Sequence, residues 1–158
     1  MASSLRSMGA EAHFVGSQSG IEATLVPQAN FPLHPLNLTA FAGNLLARAR
    51  AATLFLRAIR SCRRIIQRVR PGAVLGVGGY ASAPAVVAAR TLGVPTLLHE
   101  QNSVPGRVNR AAGRVVRQTL VTFPRAAEYF RDAERVGMPT RVELFGALRE
   151  EALADLGL

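Results

Sequence analysis

Two apolar runs that end in polar loops decide the fold of this chain: Ala73-Val74-Leu75-Gly76-Val77-Gly78-Gly79-Tyr80 and Thr96-Leu97-Leu98-His99-Glu100-Gln101-Asn102. A short aliphatic run followed by glycine or polar residues is typical of a buried strand in a parallel sheet. Residues 82–92, which lie between the runs, have a helical pattern, and Gly93 is placed to end that helix. A strand, a helix and a second strand predict a βαβ unit.

The rest of the chain repeats the same alternation on both sides of this unit. Predicted strands cover residues 13–15, 31–36, 73–77, 95–98 and 118–121, with a weaker one at 135–136. Predicted helices cover residues 21–26, 41–69, 82–92, 105–112, 124–131 and 148–156. This order indicates an α/β fold with a Rossmann-like, doubly wound parallel sheet. A length of 158 residues fits one domain.

Composition excludes several classes of protein. Hydrophobic residues make up 49% of the chain and charged residues 18%, which is typical of a packed core and excludes a disordered chain. Cys62 is the only cysteine, which excludes an internal disulfide and a cysteine-clustered zinc site. The histidines lack metal-ligand spacing, so we expect no metal and no cofactor. No apolar run spans a membrane and residues 1–6 lack a signal-peptide pattern, so we expect a cytoplasmic chain.

The chain is strongly basic, with a net charge of +9, and all of its cations are arginines. Arginine binds phosphate and carboxylate groups through two parallel hydrogen bonds, so the charge favours an anionic partner. A general compositional preference for arginine explains the same charge without any partner. Aromatic residues are only 6% of the chain and tryptophan is absent, so we expect no nucleic-acid partner.

The long predicted helix, residues 41–69, is amphipathic. Its apolar stripe is expected to face the sheet and comprises Leu45, Ala49, Ala52, Leu56 and Ile59. The opposite side is expected to face solvent and carries Arg50, Arg57, Arg64 and Arg68. Such a helix is either the solvated outer layer of an ordinary crossover or a surface attracted to an anionic membrane.

The two polar loops are the candidate site. In doubly wound sheets ligands bind beyond the carboxyl ends of the strands, so the Gly78-Gly79-Tyr80 turn and the His99 to Asn102 loop are expected to be neighbours. The glycines allow a ligand to approach the backbone, and Ser82 is placed to cap the following helix. Structural alternatives remain open: the turn is only a tight turn, His99 ends its strand, and Glu100 pairs with a cation such as Arg107.

These runs, together with Gly93-Val94-Pro95, closely resemble the MurG family of peptidoglycan N-acetylglucosaminyltransferases. The resemblance extends backward to Gly20-Ile21-Glu22 with Leu25-Val26-Pro27, and forward to residues 136–141, which are similar to the family's Gly-Asn-Pro-x-Arg segment. It implies the N-terminal half of a two-domain GT-B enzyme. That enzyme transfers N-acetylglucosamine from UDP-N-acetylglucosamine to lipid I, the undecaprenyl-diphosphate-linked muramyl pentapeptide, and produces lipid II.

The resemblance also implies roles for individual residues. Asn102 and Arg141 match family residues that contact the donor sugar nucleotide. Tyr80, His99 and Glu100 match the cleft wall near the acceptor, and Gly79 is expected to bind substrate beside them. The implied partners are UDP-N-acetylglucosamine, lipid I and an anionic membrane surface, with the protein peripheral on the inner face of the cell membrane.

The chain departs from the family pattern in three places. The family begins with a strand and a Gly-Gly-Thr-Gly-Gly-His loop, whereas Met1 falls inside the following helix, so we expect a sheet without its first strand and assign no general base. The chain also ends at Leu158, about where the family crosses to its C-terminal half. Residues 1–141 are expected to form a partial acceptor-side domain and residues 142–158 the start of the interdomain connection. Met138 stands where the family has asparagine. The isolated chain is therefore expected to be inactive.

Two other functions fit the sequence. The first is the corresponding half of a related GT-B glycosyltransferase that acts on another lipid or glycoside acceptor. The second is a non-enzymatic module that binds anions or membranes, which only the basic charge favours.

Overall fold

The computed structural model describes residues 1–39 and 43–140. Helices alternate with strands along these ranges. The helices are α1 (Ala2–Ser7), α2 (Glu22–Gln28), α3 (Leu45–Val69), α4 (Ala83–Thr91), α5 (Arg107–Ala112) and α6 (Pro124–Ala127). The strands are β1 (Phe14–Ser17), β2 (Leu33–Leu36), β3 (Val74–Gly76), β4 (Thr96–Glu100), β5 (Gln118–Val121) and β6 (Ala133–Arg135).

Every strand that the sequence predicts is present, with small shifts at the ends. The strand predicted at 31–36 begins at Leu33, and the weak one at 135–136 is β6, Ala133–Arg135. The helix predicted at 124–131 is a single turn, Pro124–Ala127. The helix predicted at 148–156 lies outside the described residues.

All strand pairs are parallel, as the sequence predicts, but the strands form two sheets instead of one. β1 pairs with β2, and the second sheet has the order β3-β4-β5-β6. Within the described ranges, no backbone ladder joins the sheets. They share one hydrophobic core instead, because Leu36 of β2 packs in the same cluster as Cys62 of α3 and Ala88 of α4. Side-chain packing through α3 and α4 therefore connects the two sheets.

The centre of the core is the contact between α3 and α4. Ala58 and Cys62 of α3 pack with Ala88 and Ala89 of α4, and these small side chains allow the two helix backbones to approach closely. Cys62 is fully buried there. Burial raises the pKa of its thiol to about 12, because the low-dielectric surroundings disfavour the thiolate.

The predicted orientation of α3 is wrong for most of its apolar stripe, although Ile59 of that stripe packs against the core. Ala51, Ala58, Cys62 and Ile66 form its buried face, whereas Leu45 is 81% exposed and Leu56 is 53% exposed. The reason is that α3 packs on the small residues of α4, so its own small residues face inward and Leu45 and Leu56 are turned outward. The prediction for the arginines is confirmed, since Arg50, Arg57, Arg64 and Arg68 are all exposed.

Neither α3 nor any other helix of residues 1–39 and 43–140 is long and apolar enough to cross a bilayer.

Candidate substrate site at the carboxyl ends of β3 and β4

The two candidate loops lie at the same edge of the larger sheet. β3 and β4 are neighbouring parallel strands with Gly76 opposite Leu98, so the residues that follow them leave the sheet side by side. Asn109 of α5 bridges the loops. Its Nδ2 donates to Glu100 Oε2 at 2.7 Å and lies 2.9 Å from the position that a Cβ on Gly78 would occupy. The predicted proximity of the loops is confirmed.

The Gly78-Gly79 turn has a backbone that requires glycine. Gly78 has φ of +98° and Gly79 has φ of +75°, in the left-handed region that other residues rarely adopt. A Cβ placed on Gly79 would meet no atom within 4 Å, so the backbone there is open to a ligand.

Ser82 closes this turn and does not cap α4. Its hydroxyl donates to the Gly79 carbonyl at 3.1 Å, and it makes no side-chain capping bond to the helix. The predicted cap is therefore wrong. The physical reason is that Ser82 has helical dihedral angles, φ −81° and ψ −25°, instead of the extended backbone that a capping side chain needs.

Tyr80 connects the turn to α3. Its ring centroid lies 5.4 Å from that of Phe55, with the two rings tilted by 31°. Burial raises the pKa of the Tyr80 phenol above its usual value, so the hydroxyl stays protonated at neutral pH. It can therefore donate as well as accept a hydrogen bond.

His99 lies inside the protein and not on the cleft surface. It is 1% exposed, and the side-chain amide of Gln101 donates to its Nδ1 at 2.8 Å. Because Nδ1 accepts, the neutral ring carries its proton on Nε2. Among the described residues, His99 Nε2 has no hydrogen-bond partner. The imidazole therefore stabilises the loop through Gln101 and leaves one buried donor unused.

Glu100 is fully buried, and among the described residues its carboxylate accepts hydrogen bonds only from amides. Oε1 accepts hydrogen bonds from the Asn102 backbone N–H at 2.8 Å and from Asn102 Nδ2 at 2.9 Å. Oε2 accepts from Asn109. The alternative of an ion pair with Arg107 is wrong, because Arg107 is exposed and the carboxylate is already occupied by these amides.

Asn109 is the site residue that sequence reasoning missed. It is 5% exposed, and its Oδ1 has no hydrogen-bond partner among the described residues. No local signal marks it, because its partner Glu100 is nine residues away and the sequence does not show which side of a short helix is buried.

The predicted site residues divide into two groups. Gly79 and Asn102 are exposed and Tyr80 is half-buried, so they can touch a ligand. His99 and Glu100 are buried and act on the loop. Arg141 lies outside the described residues.

The accessible groups offer hydrogen bonding: an amide, a phenol and an open backbone. Within the ranges that the structure describes, no three His, Cys, Asp or Glu side chains are grouped as metal ligands.

The chain is similar to known proteins in both sequence and fold. A crystal structure of MurG from Acinetobacter baumannii superposes with a TM-score of 0.73 at 32% identity, over 85% of this chain and 38% of that one. A relative from Rubrobacter xylanophilus is 62% identical over the whole chain, which covers 48% of that relative. A relative from Pseudomonas syringae pv. tomato is 37% identical over 92% of this chain and 41% of the relative.

Both relatives carry the name UDP-N-acetylglucosamine–N-acetylmuramyl-(pentapeptide) pyrophosphoryl-undecaprenol N-acetylglucosamine transferase. The chain thus spans about half the length of the curated relatives it matches, or somewhat less. The family model of the glycosyltransferase family 28 N-terminal domain matches residues 1–121, which include β1 to β5 and both candidate loops. The chain therefore belongs to glycosyltransferase family 28, and these residues form its N-terminal domain.

Proposed function

We propose that this chain supplies one wall of the substrate cleft of an inverting N-acetylglucosaminyltransferase. The enzyme moves N-acetylglucosamine from UDP-N-acetylglucosamine to lipid I and produces lipid II for peptidoglycan synthesis. The observation that carries the proposal is the 62% identity, over the entire chain, with a relative that is named for this transfer.

The exposure of the site residues supports separate roles for them in binding the two substrates. Asn102 and Arg141 contact the donor sugar nucleotide, whereas Gly79 and Tyr80 lie along the acceptor. Asn102 and Gly79 are exposed at the edge of the sheet, where a ligand can reach them.

The chemistry of inverting transfer suits hydrogen-bonding groups of this kind. The acceptor hydroxyl must be held in line with the anomeric carbon while the UDP diphosphate departs, and holding it there lowers the barrier. Negative charge grows on the departing diphosphate, and cationic or N–H donors stabilise it in the transition state. Arg141 and the backbone N–H groups of the loops are the groups of this chain that can do so.

A lipid-linked acceptor requires the cleft to lie near a membrane, and the surface of α3 supports that placement. Leu45 is 81% exposed and Leu46 is 80% exposed at the start of the helix. The exposed arginines of the same helix would attract anionic headgroups. Phe55, which contacts Tyr80, follows Leu45 by ten positions, or about 15 Å of helix. We therefore place the protein on the inner face of the cell membrane.

A chimaera tests the proposed function. These 158 residues replace the matching segment of the Rubrobacter xylanophilus relative, and transfer from labelled UDP-N-acetylglucosamine to lipid I is measured in detergent. We expect lipid II to form at a rate within about tenfold of the parent enzyme. A folded chimaera that forms no lipid II, beside an active parent, contradicts the proposal. Transfer to a different lipid or glycoside acceptor would instead identify a related glycosyltransferase.

A further inference from the structure

We propose that Glu100 and Asn109 are positioning residues that orient the groups touching substrate and do not touch it themselves. This inference rests on the proposed function and assigns a role to the buried residues of the site. Glu100 is 0% exposed and Asn109 is 5% exposed, so neither can reach a ligand from its observed position. Each is instead bonded or packed against a residue of the accessible loops.

Glu100 fixes which atom of the Asn102 amide a ligand meets. A carboxylate has no proton to donate, so only the NH₂ end of the amide can face Oε1, at the observed 2.9 Å. The Asn102 backbone N–H donates to the same oxygen, which holds the loop and the side chain together. Asn102 Oδ1 is therefore the end of the amide left for the ligand. It is an acceptor, and it selects a ligand group that donates, such as a sugar hydroxyl or an amide N–H.

Asn109 links Glu100 to the Gly78-Gly79 turn. Its Nδ2 donates to Glu100 Oε2 at 2.7 Å, and its amide lies where a Cβ on Gly78 would clash. The turn is thus packed directly against Asn109. One buried carboxylate therefore sets the distance between Gly79, on one side of the site, and Asn102, on the other.

A polarity swap tests this arrangement in the chimaera. In Asn109→Asp, two carboxylates face each other where an amide met a carboxylate, so we expect kcat/KM per folded molecule to fall by about 100-fold as the loops shift. Adding Glu100→Gln restores a donor–acceptor pair with its direction reversed, and we expect most of the loss to be recovered. Asn37→Asp is the matched control, because Asn37 is exposed and the change adds the same charge.

The kinetics are read beside a thermal melt of each variant. Unchanged kcat/KM per folded molecule in Asn109→Asp overturns the proposal, and so does a double variant no better than the single one. If Asn109→Asp does not fold, Asn109→Leu takes its place, because leucine is similar in size and cannot donate to Glu100. Unchanged kcat/KM per folded molecule in that variant then overturns the proposal.

A second readout does not depend on transfer. In NMR spectra of the 158-residue chain, the side-chain amide protons of Asn102 and Asn109 are expected downfield and protected from exchange with water. Glu100→Ala should abolish both properties, and Asn37→Asp should change neither. Signals of exposed amides in the unmodified chain overturn the positioning role. An inactive chimaera with protected amides counts against the proposed function alone and supports the orientation of the amides.

Discussion

The carboxylate of Glu100 and the side-chain amide of Asn109 form a hydrogen bond of 2.7 Å in the interior of the protein. Glu100 ends β4 and Asn109 lies within α5, so this bond ties the end of a strand to the helix that follows it. A charged group held this way is costly to disturb, because its partners lose a hydrogen bond that water cannot replace.

Glu100→Ala is therefore expected to destabilise the fold. The buried amide of Asn109 would lose its acceptor, at a cost of about 1–3 kcal/mol in the free energy of unfolding. Urea denaturation of the two chains measures the difference. Glu128→Ala is the control: Glu128 is exposed, so its change should stay within about 0.5 kcal/mol. Equal effects of the two substitutions would mean that the buried carboxylate contributes no more to the free energy of unfolding than an exposed one.

Gly76→Ala is expected to loosen the contact between β3 and α4. A Cβ at Gly76 would lie 2.9 Å from Val86 Cγ2, which is too close for two carbon atoms. Overpacking of this kind costs about 1–3 kcal/mol. Gly72→Ala provides the comparison, because a Cβ there meets nothing within 4 Å. Thermal melts that rank Gly72→Ala as the more harmful change would contradict the packing described for this strand.

Acidification is expected to weaken the smaller sheet through His34. His34 Nε2 lies 3.1 Å from His13 Nδ1, and the His13 ring also bonds to Glu11. Burial lowers the pKa of His34 below 6.5, and the charges of His13 and Arg68 lower it further. The unfolded chain therefore binds a proton at His34 before the folded chain does. Stability is complete above about pH 6.5 and falls as the pH drops below that value.

The measurement is denaturant unfolding of the chain and of His34→Gln between pH 5 and pH 8. The stability of the variant should fall less below about pH 6.5, because it has no imidazole to protonate at this position. An identical decline in both chains would show that His34 is not responsible.

Binding to anionic vesicles should depend on the exposed start of α3. Leu45→Ser together with Leu46→Ser is expected to reduce co-sedimentation with phosphatidylglycerol vesicles by about tenfold or more, since two large apolar side chains no longer enter the headgroup region. Met8→Ser serves as the control, because Met8 is equally exposed, at 81%, and lies just after α1. An equal loss in both variants would place the membrane contact elsewhere.

The charge on α3 is tested separately by changing Arg50, Arg57, Arg64 and Arg68 to glutamine. The matched set is Arg114, Arg125, Arg131 and Arg135, which are also exposed but lie outside α3. The α3 set should weaken vesicle binding more at low salt, since screening reduces surface electrostatics. If both sets weaken it equally, only the overall charge matters.

The sequence predicted the strands and the position of the loops because both follow from local patterns. Alternating runs identify β3 and β4, and parallel strands bring their carboxyl ends to one edge. The orientation of α3 could not be predicted this way. Leu45 and Leu56 have helical spacing, but so do Ala58, Cys62 and Ile66, and only the close contact with α4 decides which set is buried.

The polar part of the site was predicted less completely than its position. Glu100 was predicted to belong to the site, but its partner Asn109 is nine residues away on a helix, and no local pattern links the two. Burial also decides which residues can touch a ligand. His99 and Glu100 stand beside Asn102 in the sequence, yet only Asn102 is exposed.

Steady-state kinetics of Asn102→Ala in the chimaera, measured with UDP-N-acetylglucosamine and lipid I beside a thermal melt, tests the central claim most directly. Asn102 is exposed, so its truncation should leave the melting temperature within about 2 °C of the parent, since surface changes are usually within about 0.5 kcal/mol. Loss of the proposed substrate contact should lower kcat/KM by about 10- to 100-fold. Arg141→Ala, which removes the proposed partner of the departing diphosphate, should cost about 2–4 kcal/mol of transition-state stabilisation. A strongly lowered melting temperature with unchanged kcat/KM per folded molecule would contradict the account and make Asn102 a structural residue.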